Sequence, residues 1–386
     1  MTQGQIEALS IAVEKAARTL EINIMKDIVR RMKANNNLVT SSAAYQIQRL
    51  QQMGRSDEYI KKELQTFLKI SEEEMKKVYI VETEKQYNKF EILYKKTGTG
   101  MIPFSDNAEM QSLIQATLVQ TNNTFRNLTN TTGFAKKVGG KTIFSSVAEH
   151  YWDTIDNALL GITTGAFDYN TAIKKAISDL TRSGLRMVDY ESGRTYRVDS
   201  AARTALMTGF SQITQGMNEQ AADALGINTF EVSYHIGARP SHQEWQGRVY
   251  TYEELENVCG LGQVTGLLGA NCYHWYQPFI QGISERNYSD GELANMIATE
   301  NKEVPYKDKI YTIYTGLQRQ RKLELFMRKQ REKIALLKEA KAQEFDILTE
   351  QIKYKTAMQD YTDLSEHLGL PTQKERIYLD GLGRVA

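Results

Sequence analysis

The residues best suited to chemistry lie in one stretch, Thr229–Phe279, which reads TFEVSYHIGARPSHQEWQGRVY, continues through a glycine-rich spacer and ends in GANCYHWYQPF. It holds three of the five histidines (His235, His242, His274), both cysteines (Cys259, Cys272) and two of the three tryptophans (Trp245, Trp275). Three chemistries fit those residue types. The first is zinc binding by His242, Cys272 and His274, with His235 as a further candidate, since imidazole and thiolate are the ligands zinc prefers. The spacing, one Cys-x-His and one His-x6-His, departs from the usual C-x-x-C and H-x3–5-H pairs. The second is metal-free acid/base cleavage of phosphodiesters by His235, Arg239, His242 and Glu244, in which histidine exchanges protons near neutral pH and arginine stabilises a developing phosphorane. No nucleophile accompanies that set at a telling spacing. The third is structural: imidazoles and a guanidinium satisfy the carbonyls of a glycine-rich loop while Trp245, Trp275, Tyr276 and Phe279 pack beneath. The structural reading is the one adopted, with no catalytic residue, metal or cofactor expected.

These residues need elements to position them. Thr229 to His235 alternates like a strand, with Phe230, Val232 and Tyr234 on one side. GARP then forces a turn, because Pro240 fixes its own φ and pushes Arg239 toward extended geometry. Gly247 separates Trp245 from a short strand, Arg248 to Tyr252, and the run Gly260, Gly262, Gly266, Gly269 loops back before Asn271.

Around this module the chain reads as helix. Apolar residues recur every three or four positions from Gln5 to Lys33. ANNN at 34–37 should end that helix, and Thr40, Ser41 and Ser42 offer caps to a second, Ala43 to Gln52, which Gly54 stops and after which Ser56 or Asp57 caps the next. Helices continue to Tyr94, and Gly98, Gly100 and Pro103 mark a boundary. Further helices are expected at Met110–Leu128, Ser146–Leu160 and Thr171–Ser183, with a polar interval TNTTGFAKKVGGK after the first. A hairpin or irregular link about Gly193 leads to a helix capped by Asp199 or Ser200 and closed by Gly226. From Tyr311 to Tyr361 a sequence rich in Lys, Arg, Glu, Gln and Leu predicts one or two very long helices. Their narrow stripe of Leu323, Phe326, Ile334, Leu337, Phe345, Leu348 and Ile352 calls for a helix partner, in the chain or outside it.

Composition sets bounds. The 386 residues allow two or three domains, and 48 basic against 47 acidic residues give a net charge of +1, with no global pull toward nucleic acid. No apolar run reaches the ~20 residues of a membrane span. Glu7, Glu14 and Glu21 interrupt the place of a signal-peptide core, so an intracellular chain with free thiols is expected.

The run HIGARPSHQEWQG, followed by G-A-N-C-x-H-x-x-x-P-F, resembles the signature of the minor capsid proteins of tailed bacteriophages and prophages. More distantly it is similar to the head morphogenesis proteins typified by protein F of phage Mu. EINIMKDIVRRM, TSSAAYQIQRLQQMG, the stretch from AFDYN to ALMTG, and LSEHLGLPTQKER are similar to segments of such proteins in the same order. By this resemblance the family motif falls on His235, Gly237, Ala238, Arg239, Pro240, Ser241, His242, Trp245, Gln246, Gly247, Asn271, Cys272, His274, Pro278 and Phe279. The position after the cysteine is more usually arginine, and here it is Tyr273.

The expected architecture is a mainly α, multi-domain helical protein with a small β-containing module at 229–282 and a long C-terminal helix. Its divisions fall at 1–97, 108–228, 229–282 and 306–386. The resemblance implies a low-copy virion component that sits with the portal, assembles in the host cytoplasm, and acts in head morphogenesis, DNA packaging or ejection. Its partners would be portal and head proteins and the packaged DNA. The alternatives are a nuclease-like effector using His235, Arg239 and His242, and a non-viral helical adaptor.

Overall fold

The apolar periodicity of the first thirty-odd residues forms two helices, α1 (Gln3–Ala8) and α2 (Ile11–Ala34), separated at Ser10, whose hydroxyl donates to Glu14 Oε1 at 2.8 Å. The computed structural model describes every residue except 2, 35–42, 140, 164–167, 189–193, 270–271 and 385–386. The stop expected at 35–37 and the caps at Thr40, Ser41 and Ser42 lie outside the described residues.

The next helix is longer than the sequence suggests. α3 (Ala43–Lys76) runs straight through Gly54. That glycine is exposed, and its cost of about 1 kcal/mol against alanine is small beside the packing of so long a helix. Ser56 is not a cap but a tether, its hydroxyl donating to Asp27 Oδ2 of α2 at 2.7 Å. A π-helical turn, Lys77–Glu82, follows, then α4 (Thr83–Lys89) and α5 (Glu91–Thr97), which Gly98 closes at φ 72°. The π turn aims Tyr79 inward. Its hydroxyl donates to the Leu206 carbonyl at 2.8 Å and lies 2.9 Å from Thr121 Oγ1. Gly209 leaves room for it, since a Cβ there would lie 2.1 Å from the Tyr79 hydroxyl.

α6 (Ala108–Asn130) starts at Asn107, whose Oδ1 accepts the Met110 N–H at 3.0 Å. The polar interval after it forms strands not expected from the sequence, β1 (Thr132–Val138) paired with β2 (Lys141–Ser146). α7 (Val147–Thr163) and α8 (Tyr169–Ser183) lead to β3 (Arg186–Val188) and β4 (Thr195–Arg197), which pair antiparallel where a hairpin or irregular link was expected; Gly193 lies outside the described residues. The four strands form an antiparallel sheet in the order β2-β1-β3-β4. α9 (Val198–Leu225) ends at Gly226 as read, but begins after Arg197 with no side-chain cap.

The central module follows: β5 (Thr229–Val232), α10 (Pro240–Gln243), β6 (Val249–Thr251), α11 (Tyr252–Asn257) and β7 (Tyr276–Pro278). Then come α12 (Asp290–Glu300), a small hairpin of β8 (Val304–Tyr306) and β9 (Lys309–Tyr311), and two helices, α13 (Ile313–Glu339) and α14 (Glu344–His367). The chain between α13 and α14 turns without glycine or proline. Lys341 takes φ 53°, and the Ala342 N–H reaches the Leu337 carbonyl at 3.0 Å, a Schellman closure built on lysine. The two helices pack on each other through Leu323, Met327, Ile334, Tyr354, Ala357, Tyr361 and Leu364. The helix partner sought by the C-terminal stripe is therefore the chain's own second half. The stripe splits: Leu323, Ile334 and Leu337 are buried, whereas Phe326, Phe345, Leu348 and Ile352 are exposed.

One apolar core draws on residues from Val13 to Ala340. The helices of stretches 1–97 and 108–228 share it with Ala335, Leu336 and Leu337 of α13. Buried charges stitch the same elements together. Asp199 Oδ2, in the first turn of α9, accepts from Arg18 of α2 at 3.1 Å and Arg328 of α13 at 2.6 Å. Burial works against ionising Asp199, but Arg328, Arg197 and Arg18 outweigh it and hold the carboxyl well below its usual range.

Beside it, Arg197 bonds both Glu21 (2.7 Å) and Glu332 (3.1 Å). Burial, then the Glu21 charge, pushes the Glu332 carboxyl from 4.5 up to about 7. The folded state thus binds a proton that the unfolded chain releases in that window, so this group's stabilisation is full below 4.5 and is lost as pH rises to about 7. Glu332→Gln is expected to flatten that slope and to stabilise the protein above neutrality by roughly 1–3 kcal/mol. Thermal melts on either side of neutrality check it. A variant that is less stable than the parent at alkaline pH contradicts it.

Candidate functional site

The central module is a three-stranded antiparallel sheet, β6-β5-β7, that carries a knot of rings on the loops at its edge. Phe230, Val232, Trp245, Leu255, Cys259, Leu261, Leu267 and Tyr276 form its own core. Pro278 sits opposite Phe230 on the edge strand β7, where a missing N–H leaves no ladder bond unmade. The Phe279 N–H donates to the Thr229 carbonyl at 2.8 Å and closes the strand end.

GARP behaves as its chemistry requires. Arg239 is extended (φ −59°, ψ 148°) and Pro240 occupies the first turn of α10. That short helix and the turn after it bring His242, Trp245 and Gln246 to the interior, with the Gln246 N–H returning to the His242 carbonyl at 3.1 Å. Gly247, at φ 73°, reverses the chain into β6; a Cβ there would lie 2.5 Å from Leu293 Cδ2. Gly237, at φ 75°, donates its N–H to Glu300 Oε2 at 2.9 Å.

The glycine-rich loop folds back on itself, the Leu267 N–H reaching the Cys259 carbonyl at 2.9 Å. This presents the Thr265 carbonyl to His242 Nε2 at 2.8 Å. Cys272 and His274 then enter from the approach to β7. His242 Nδ1 lies 3.4 Å from His274 Nδ1, and Cys272 Sγ lies 3.8 Å from the first and 3.5 Å from the second. His242 and His274 are buried, and Cys272 is half-buried.

The hydrogen bonds fix the tautomers. A carbonyl oxygen only accepts, so His242 donates from Nε2 to Thr265. Gln246 Oε1 accepts the His235 backbone N–H at 3.2 Å, which sets that amide's orientation, so His274 Nε2 also donates to it, at 2.9 Å. Both Nδ1 lone pairs therefore face each other and the thiol. Burial holds His274 well below the ordinary imidazole range, with His235 and His242 adding to the effect, and burial likewise lowers His242 and raises the Cys272 thiol. At neutral pH the cluster without a cation has two acceptor nitrogens and one thiol proton to share between them.

Trp245 lies at the base of this knot, its ring tilted against those of His242, at 4.5 Å, and His274, at 4.7 Å. The His235 ring lies 4.2 Å from His274, half-buried, as a neighbour of the cluster. Glu244 is exposed while His242 is buried, so the four residues of the acid/base reading are not gathered as one open set. Asn271 lies outside the described residues. Tyr273, where arginine was the usual residue, accepts a hydrogen bond from Arg203 of α9 at 2.5 Å, and that guanidinium lies 5.0 Å from its ring centre.

Sequence reasoning missed the buried acids that hold the module. Glu300, at the end of α12, accepts from Gly237 and from Gln243 Nε2 (3.3 Å) and pairs with the Tyr234 hydroxyl. Glu231 accepts from the Asn287 backbone at 2.7 Å and from Asn287 Nδ2 at 2.5 Å. Glu300 stands at a helix C-terminus, where the dipole disfavours a carboxylate; that mismatch was the one readable hint. The Thr265 carbonyl left no signal at all.

Among known proteins, a structural protein of Lactococcus phage LL-H is 23% identical over 189 residues, covering 45% of this chain and 49% of its own length. The chain thus spans about half the length of that curated relative. No solved structure matches it. No helix among the described residues is long and apolar enough to cross a membrane. The description "Phage minor capsid protein 2" matches residues 1–364, and this span, which contains the whole ring cluster and its supporting acids, shows that the chain belongs to the phage minor capsid protein 2 family.

Proposed function

We propose that this chain is a low-copy component of the phage head, seated with the portal, that takes part in head morphogenesis, DNA packaging or ejection. The match over residues 1–364 carries the reading, and the phage structural protein similar to it over half its length supports it. Its partners are the portal and other head proteins, with the packaged DNA within reach, and it joins the virion from the host cytoplasm where heads assemble. It acts without catalysis. The support for that is local: His242 is buried and Glu244 is exposed, so the residues of the acid/base reading do not form one open set.

Quantitative mass spectrometry of purified particles tests the assignment. The protein should be present in mature heads at far fewer copies than the major shell protein, and should co-purify with portal when heads are disrupted. Its absence from heads, or a copy number equal to that of the shell protein, overturns the reading.

A further inference from the structure

We propose that His242, Cys272 and His274 hold a zinc ion, with Nδ1, Sγ and Nδ1 as its three protein ligands. The distances are those of a tetrahedral site. Zn–N bonds of about 2.0–2.1 Å and a Zn–S bond of about 2.3 Å imply ligand edges of about 3.3 Å between nitrogens and about 3.6 Å between nitrogen and sulfur. The observed edges are 3.4 Å, 3.5 Å and 3.8 Å.

The surroundings prepare the same atoms. Each histidine commits its Nε2–H to a carbonyl oxygen, that of Thr265 or Gln246, which leaves Nδ1 unprotonated and fixes the ring plane. Outer partners of this kind are what metal-bound histidines have. Without a cation, two lone pairs and a thiol are buried against one another with a single proton among them, and buried acceptors lacking a donor are costly. A cation removes that frustration. Binding transfers no electrons: the Cys272 S–H bond breaks, its proton leaves to solvent, and a Zn–S bond forms. Soft sulfur with two imidazoles selects zinc over magnesium or calcium, which take oxygen ligands.

Cys272 and His274 also line a cavity of about 40 Å3 with Leu268 and Trp275, large enough to hold water. The ion would join three pieces that are remote in sequence: α10, the glycine-rich loop whose Thr265 carbonyl orients His242, and the approach to β7. Ligand spacing hid the site, because the pairs lie on opposite sides of that loop rather than within one knuckle.

The test uses the full chain, purified without a histidine tag and equilibrated with Zn2+ before desalting. Elemental analysis should find stoichiometric zinc, and Cys272→Ser and His242→Ala should lose it while Cys259→Ala keeps it. Exchange with Co2+ should give tetrahedral d–d bands and a thiolate-to-cobalt charge-transfer band, the latter absent from Cys272→Ser. Chelation should lower the melting temperature of the parent and leave Cys272→Ser unchanged. If the variants fail to fold, the cobalt spectrum of the parent decides alone. A parent free of zinc after equilibration, a Co2+ spectrum without the thiolate band, or stoichiometric zinc retained in folded His242→Ala overturns the proposal.

Discussion

Asp199→Ala is expected to be among the most damaging single substitutions in the chain, at about 3–5 kcal/mol, the range found when one partner of a buried ion pair is removed. The carboxylate is shared by Arg18 and Arg328, both nearly inaccessible, which come from helices α2 and α13 at opposite ends of the sequence. Alanine would leave the buried Arg328 guanidinium without its carboxylate, and Arg18 with only the longer pair to Glu14 at 3.6 Å. Set against a typical stability of about 5–15 kcal/mol, that loss brings the chain close to unfolding at physiological temperature. Asp199→Asn should be nearly as harmful, since it keeps the shape and discards the charge. Combining Asp199→Leu with Arg18→Met and Arg328→Met should recover part of the loss, because the carboxylate and the two guanidinium groups bonded to it are then removed together. Chemical denaturation of the three variants is the measurement. An Asp199→Ala variant within about 1 kcal/mol of the parent would mean that water reaches the cluster.

The second large effect is expected at Trp245→Ala, again at about 3–5 kcal/mol, from the loss of a buried indole and the cavity left behind. Only 4% of Trp245 is exposed, and its ring is the floor on which His242 and His274 rest. By sequence both Trp245 and Trp275 were expected to pack beneath the loop, but Trp275 is half-buried and uses its Nε1–H to reach the Met1 carbonyl at 2.7 Å. Trp275→Ala should therefore cost distinctly less, and limited proteolysis should cut the glycine-rich loop in Trp245→Ala first. Equal or greater damage from Trp275→Ala would show that the indole bond to Met1, and not the ring floor, holds the module.

Much of the fold was legible because helices announce themselves by period and closure. Gly98 and Gly226 end α5 and α9 as glycines in the left-handed region should. The failures have physical causes. The β1–β2 hairpin escaped because β2 begins with three exposed residues, Lys141, Thr142 and Ile143, so no alternation of apolar and polar residues marks it. The position of the break between α13 and α14 escaped because a lysine occupies the left-handed position where glycine is usual. Asp199 looked like a cap since aspartate before a helix so often is one; only the arrival of arginines from distant helices shows it to be a core anion.

At the site, residue types identified the module and could not identify its chemistry. His242, Cys272 and His274 were named as one of three competing sets, and spacing argued against them. Their convergence depends on the Gly247 reversal and on the loop that closes between Cys259 and Leu267, neither of which is written in local periodicity. Backbone acceptors such as Thr265 are invisible to any reading by side-chain type.

The joining of α2 and α13 in one core bears on how the chain is made. Ile24, Met25, Ile28 and Val29 of α2 leave the ribosome some three hundred residues before Ala335, Leu336 and Leu337 of α13, which lie in the same core. At about 5–20 residues per second, α2 waits roughly 15–60 s for that cover. Contacts of such long range form slowly, because loop closure comes before any reward. Until then α2 is covered by α3 and, later, by α8 and α9, and the part that meets α13 stays open. Slow translation at low temperature and a supply of chaperones should raise the yield of soluble protein more than any change to the surface of the finished molecule.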